Sequence, residues 1–261
     1  VVVTNHTLLA IEIVDSHPIL PERDAVILDE AHEFMDRTTQ AVTEELTAGR
    51  AQRAAAMARK YLPGKAADAL TKAADGFEDA MSEYGEDVKA NQVTQGRLEE
   101  IPSSLEAPIR KLKEAASALS QLIGADDDII DPDENAERAR VRGAVNEIAT
   151  TAGKLLRMGD EHVLWYEPTF KTLYLAPLSV SSVLRKNMLR QTPVIATSAT
   201  LTVGKSFDPI ARSLGILSTN EEENDGDEDQ VVDPSNVQML DVGSPFDFAR
   251  QGMLYLPREI P

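Results

Sequence analysis

A short apolar run, Ala25-Val-Ile-Leu28, that stops at two carboxylates, Asp29 and Glu30, constrains this chain more than any other feature. An unbroken apolar stretch of that length suits a strand buried on both faces of a parallel sheet. Such sheets bind ligands at the C-terminal ends of their strands. Asp29, Glu30 and the nearby His32 therefore fall where chemistry is expected. A phosphate-bound Mg²⁺ takes oxygen donors and keeps several waters, so one aspartate, Asp29, reached directly or through water, is enough to hold it. Glu30 can orient or polarise the water that attacks a γ-phosphate, and His32 can report nucleotide state to a neighbouring element. The plainer alternative is a strand followed by an acidic helix start, because carboxylates favour helix N-termini.

A second buried-strand pattern, Val194-Ile-Ala196, runs into Thr197, Ser198, Ala199 and Thr200. The Ser198 and Thr200 hydroxyls can bond His32 across a shared crevice. Alone, small hydroxyl residues after a strand read equally as a turn or a helix N-cap. Their order after the acidic box gives them weight.

Four blocks together resemble superfamily 2 helicases of the DinG and XPD group, in particular bacterial DinG-type ATP-dependent DNA helicases. They are Val1-Val-Val-Thr-Asn-His-Thr-Leu-Leu9, Asp29 to His32, Ala196-Thr-Ser-Ala-Thr-Leu201, and Gly243-Ser-Pro-Phe-Asp-Phe248 followed by Gln251-Gly-Met-Leu-Tyr-Leu-Pro257. The resemblance implies an internal segment of a longer enzyme, with a Walker A phosphate loop before Val1 and a second motor domain with an arginine finger after Pro261. It also implies Mg²⁺-dependent ATP hydrolysis coupled to movement on single-stranded DNA and unwinding of forked duplex, with a role in DNA repair. On this view the partners are that DNA and the remaining segments of the same protein.

Net charge argues against a broad nucleic-acid face. The chain carries −18 at pH 7, whereas phosphate contacts need Lys and Arg to release counterions. Some of the excess is local: residues 219–233 hold eight acids and no base, the pattern of a solvated, disordered loop. Any nucleic-acid track is then narrow. Cysteine is absent, which fits a reducing cytoplasmic compartment and excludes an iron–sulfur cluster held by this segment's cysteines. Whether the parent protein carries such a cluster is left open by these residues. No apolar run approaches the roughly 20 residues that span a bilayer, so no membrane partner is expected.

Between the two motifs the pattern turns helical and Ala-rich, with turn signals at Pro63-Gly64, Gly96 and Asp131-Pro132. Leu105, Ile109, Leu112, Ala116, Leu119 and Ile123 recur every three or four residues, marking a core-facing helix from Ser104 to Ile123. Further helices are expected from Asp36 to Tyr61, Lys65 to Ala90, and Pro132 or Asp133 to Met158. The resemblance equates this four-helix insert with the arch domain that frames the displaced strand. Strands follow at Val163 to Tyr166 and Thr172 to Ala176, then a helix from Val180 to Arg190. In this least acidic stretch Lys171, Arg185, Lys186 and Arg190 are candidate phosphate contacts, and Trp165 and Tyr166 candidate stacking partners for bases. A solvated helix face and ordinary core aromatics are the competing readings.

Val1 to Val3 read as another strand end, with Asn5 and His6 capping a helix near Leu8. Ala199 to Ser206 formally fits a relaxed phosphate-loop pattern around Lys205, but β-branched residues occupy positions where glycine lets backbone approach phosphate. The four histidines show no zinc-ligand spacing. The expected fold is α/β, a partial RecA-like motor domain with a parallel sheet interrupted by an all-helical arch-type insertion. Its divisions are a first motor segment with the acidic box (1–36), the insertion (37–161), a second motor segment with the hydroxyl motif (162–218), an acidic loop (219–233), and a connection onward (234–261). The alternative is a helical protein-interaction module on a degenerate nucleotide-binding sheet.

Overall fold

The structure is a computed structural model that describes residues 1–15, 18–62, 64–90, 97–123, 132–217, 236–243, 247–253 and 255. The acidic run 219–233 lies outside the described residues, as do Pro63, Gly96, Asp131 and positions 244–246 of the Ser-Pro-Phe block. Two hydrophobic cores organise the rest.

The first core gathers α1 (His6–Asp15), β1 (Val26–Asp29), α2 (Ala31–Val42), α7 (Ser181–Leu184) and β6 (Val194–Thr197). β1 and β6 run parallel, in register from Val26↔Val194 to Asp29↔Thr197. The expectation of burial on both faces is corrected. Val26 and Leu28 enter the core with α1 and α2, while Ile27 and Ile195 are 70% and 56% exposed. Among the described residues this sheet has two strands, so strand alternation places every second side chain on an uncovered face. Val1 to Val3 likewise form no strand and stand exposed. The Asn5 side chain does cap α1, accepting the Leu8 amide at 2.9 Å.

The stretch expected to be a helix from Val180 to Arg190 begins as α7 and continues as a π-turn, Arg185–Leu189, closed by the Arg190 amide on the Arg185 carbonyl at 3.1 Å. Asn187 in that turn donates to the Ile13 carbonyl of α1 at 2.7 Å.

The second core belongs to α3 (Ala48–Ala58), α4 (Lys65–Ala90), α5 (Ser103–Ile123) and α6 (Pro132–Leu155). Each packs on the next, and α6 returns to α3. All six stripe residues of α5 are buried. The insertion is not all-helical, however. The expected Asp36 to Tyr61 helix breaks at β2 (Glu44–Leu46), and α3 restarts from Thr47, whose hydroxyl accepts the Arg50 amide at 3.2 Å. Tertiary contacts override helical propensity there: Leu46 is fully buried in the bundle core, and Glu44 accepts the Thr151 hydroxyl at 2.6 Å and pairs with Lys154 of α6.

β3 (Arg97–Leu98), β4 (His162–Glu167) and β5 (Thr172–Pro177) complete an antiparallel sheet in the order β2-β5-β4-β3. The strands β4 and β5, which fall in the expected second motor segment, thus pair away from the parallel sheet. Leu164, Tyr166, Leu173 and Leu175 seal the bundle core instead.

Candidate functional site

Parallel pairing brings two strand ends side by side, and the site is built on that register. At the last rung, Thr197 donates its hydroxyl to Asp29 Oδ1 at 3.1 Å. The chain then turns sharply. Glu30 takes a left-handed backbone conformation, φ 50° and ψ 52°, before α2 begins at Ala31. A non-glycine residue there is strained. The Glu30 amide donates to Asp29 Oδ1 at 3.2 Å, which helps hold the turn.

That turn delivers the Glu30 carboxylate to the Ser198 hydroxyl, which donates to Oε2 at 2.7 Å. Ser198 Oγ is also 2.9 Å from His32 Nδ1, 3.3 Å from the Thr200 hydroxyl, and accepts the Thr200 amide at 3.2 Å. Thr200 Oγ1 and His32 Nδ1 are 3.4 Å apart, as are His32 Nδ1 and Glu30 Oε2. A hydroxyl has one proton to give. With that proton on Glu30, His32 must donate to Ser198, so the imidazole carries hydrogen on Nδ1. The side chains of His32 and Glu30 are 41% and 51% exposed, so the network opens to solvent.

Asp29, Glu30, His32, Ser198 and Thr200 therefore converge on one patch. Thr197 is a member that the sequence reading missed. Its only sequence signal is adjacency to Ser198, and the strand register was needed to set it opposite Asp29.

The nucleic-acid candidates do not converge. Lys171 sits exposed at the β4–β5 turn, φ 48°, with its ammonium 2.8 Å from the Ser82 hydroxyl. Lys186 and Arg190 are exposed around the π-turn, beside the other core. Two assignments are corrected. Arg185 is only 4% exposed and donates Nε to the Gly215 carbonyl at 2.8 Å, so it braces the fold and cannot meet a phosphate. Tyr166 is 6% exposed, packs edge-on to Tyr84 at 5.2 Å and donates to the Met81 carbonyl at 3.2 Å. A base has no access to it. Trp165 is half-buried and stacks on Tyr174.

The Lys205 loop is no phosphate cradle. Val203 and Ser206 exchange both backbone hydrogen bonds around Gly204 and Lys205, each at positive φ. Those amides are spent on a tight hairpin turn, and the helix α8 (Asp208–Ser213) starts beyond it.

No protein-family model matches the chain. The ATP-dependent helicase DinG of Mycobacterium tuberculosis is 30% identical over 273 residues, covering 100% of this chain and 37% of that protein. DinG of Mycobacterium bovis gives the same figures. The ATP-dependent DNA helicase YoaA of Escherichia coli is 28% identical over 287 residues, covering 100% of this chain and 39% of the relative. The chain is DinG-like over its whole length. It spans well under half the length of these relatives. In the DinG-like chain the hydroxyl–histidine–carboxylate cluster joins two motifs that lie 166 to 168 positions apart.

Among the described residues no three His, Cys, Asp or Glu side chains gather as a metal cage. A single oxygen donor such as Asp29 would suit Mg²⁺ held mainly by water and phosphate better than a protein-caged metal.

Proposed function

We propose that this DinG-like chain belongs to an ATP-dependent DNA helicase that couples Mg²⁺-ATP hydrolysis to travel along single-stranded DNA and to duplex unwinding in the cytoplasm, in the service of DNA repair. The observation that carries the reading is the Glu30–Ser198–His32 cluster at the C-terminal ends of paired parallel strands. Such strand ends are where sheets of this kind hold ligands.

In the proposed mechanism Mg²⁺, when bound with ATP, neutralises developing charge on the transferred phosphate. Asp29 would hold it. Its Oδ1 is anchored by Thr197 and the Glu30 amide. Glu30, fixed by the strained turn and by Ser198, orients the attacking water and accepts its proton. His32, Ser198 and Thr200 register how the Glu30 carboxylate is engaged and pass that state from β1 to β6. The first core then acts within a RecA-like motor, and the second as an arch-type insertion. The phosphate loop and arginine finger come from elsewhere in the full-length protein, and the 261-residue chain alone is expected to hydrolyse essentially no ATP.

Glu30→Gln in the full-length protein tests this. The amide keeps the shape and loses the base, so ATP binding persists while hydrolysis falls about 10²- to 10⁴-fold. Wild-type turnover in that variant would remove Glu30 from the mechanism.

A further inference from the structure

The outer face of the four-stranded sheet carries a row of side chains that the motor does not use. Glu45 on β2, Tyr174 on β5, Trp165 on β4 and Arg97 on β3 are in register across it. Directly paired residues of antiparallel strands project to the same side. The opposite side is the one that Leu164, Leu173 and Leu175 bury in the helical core. Trp165 and Tyr174 stack with centroids 5.1 Å apart and planes inclined by 13°. Tyr174 covers one face of the indole, and the other face looks to the edge strand, where Arg97 is exposed.

Local charge on this side is mixed, since Glu99 and Glu100 are exposed just after β3, but the hairpin that carries the stack is sparing in acids. Glu167 is the single acid between His162 and Gly204. Its carboxylate is turned back on the hairpin tip, accepting the amides of Thr169 at 3.0 Å and Phe170 at 2.7 Å. Lys171, at that same tip, donates to the Ser82 hydroxyl of α4 and so turns toward the helices. The row itself is polar, with Glu45 exposed at one end and Arg97 at the other. Within the row, Arg97 is the group that can meet a phosphate and Glu45 the group that repels one.

We propose that Trp165, Tyr174 and Arg97 form a stacking site for single-stranded DNA, with one base on the indole face turned away from Tyr174 and its phosphate on Arg97. The choice of DNA rests on the helicase reading above. Tyr174 stiffens the indole from behind. Any unpaired base has a face to offer it, whereas a duplex hides those faces in its own stack, so the site selects single strands without reading sequence.

Trp165 is the one tryptophan of the chain, so its fluorescence reports the contact directly. The 261-residue chain is titrated with oligo(dT) and with an abasic oligodeoxyribose phosphate of equal length, while the anisotropy of dye-labelled oligo(dT) measures binding in parallel. Oligo(dT) is expected to quench Trp165 and the abasic polymer to leave it bright. Trp165→Leu and Tyr174→Leu should weaken binding about tenfold, Tyr174→Phe should keep most of it, and Arg97→Ala should weaken it and flatten its salt dependence. Far-UV circular dichroism checks that each variant is folded. An unquenched Trp165 with labelled oligo(dT) fully bound overturns the stacking site and leaves the helicase reading standing. Equal quenching by the abasic polymer overturns it as well. No binding of oligo(dT) at all counts against both.

Discussion

The Ser198 hydroxyl donates its single proton to Glu30 Oε2 at 2.7 Å, across the gap between two strand ends. That assignment leaves His32 as the donor to Ser198. Loss of the bond at Glu30 frees the hydroxyl to turn toward the Thr200 hydroxyl. The bond thus links the residue after β1 to the residue after β6.

If this cluster couples chemistry to movement, Ser198→Ala with Thr200→Ala in the full-length protein should retain much of the DNA-stimulated ATPase and lose most of the unwinding. His32→Ala should do the same. Combining all three should add little, since residues of one network are not additive, with coupling energies of about 0.5–3 kcal/mol. ATPase and strand-separation assays on each variant decide it. An equal fall in both activities, or strictly additive losses, would reduce these residues to props of the sheet.

Two glycines of α4 should respond in opposite directions. A Cβ on Gly85 would lie 2.5 Å from the Tyr166 hydroxyl, which is buried and bonded to Met81. Gly85→Ala is expected to lower stability by about 1–3 kcal/mol, and Tyr166→Phe in the same chain should restore some of it. Gly76 meets nothing within 4 Å, so Gly76→Ala should stabilise by roughly 0.5–1 kcal/mol. Thermal melts of the three variants check both signs.

Arg185→Ala should act on stability. Its Nε bond to the Gly215 carbonyl is buried, and Gly215 itself takes φ 81° with no room for a Cβ, 2.2 Å from the Ser181 carbonyl. Removing the guanidinium leaves that carbonyl without this donor, at a cost of about 1–3 kcal/mol. Lys186→Ala, one residue on and exposed, should stay within about 0.5 kcal/mol of wild type. A melting temperature unchanged by Arg185→Ala would return that residue to the surface cations.

Glu12 should give the fold an acid-sensitive brace. Burial by itself raises its carboxyl, but the amides of Leu20 and Ile19 and the Arg23 guanidinium outweigh burial and hold it below the usual carboxylate range. The folded form therefore favours the ionised group. Its contribution is fully present above the unfolded value and is lost as pH falls through the lower folded one. Glu12→Gln should cost about 1–3 kcal/mol at neutral pH and much less at pH 3. Denaturant midpoints across that range should converge for the two proteins.

What the sequence determined by itself was local or periodic. The α5 stripe from Leu105 to Ile123 announced a buried helix face because its spacing matches the helical repeat. The Asn5 cap and the acidic turn after Leu28 were likewise readable from residues within a few positions of one another. Tertiary structure alone decided the pairings between distant segments. Glu44 to Leu46 carries a helix-like neighbourhood and yet forms a strand, because Leu46 fills the bundle core and Glu44 finds Thr151 and Lys154. Arg185 and Tyr166 read as surface binders, but Gly215 and Met81, each bonded to one of them from a distant stretch of the chain, bury them. Thr197 joined Asp29, and Tyr174 in place of Tyr166 joined Trp165, because strand register fixes which side chains share a rung. Register is set by the whole buried face of a strand and its partner, and no single stretch of sequence contains both.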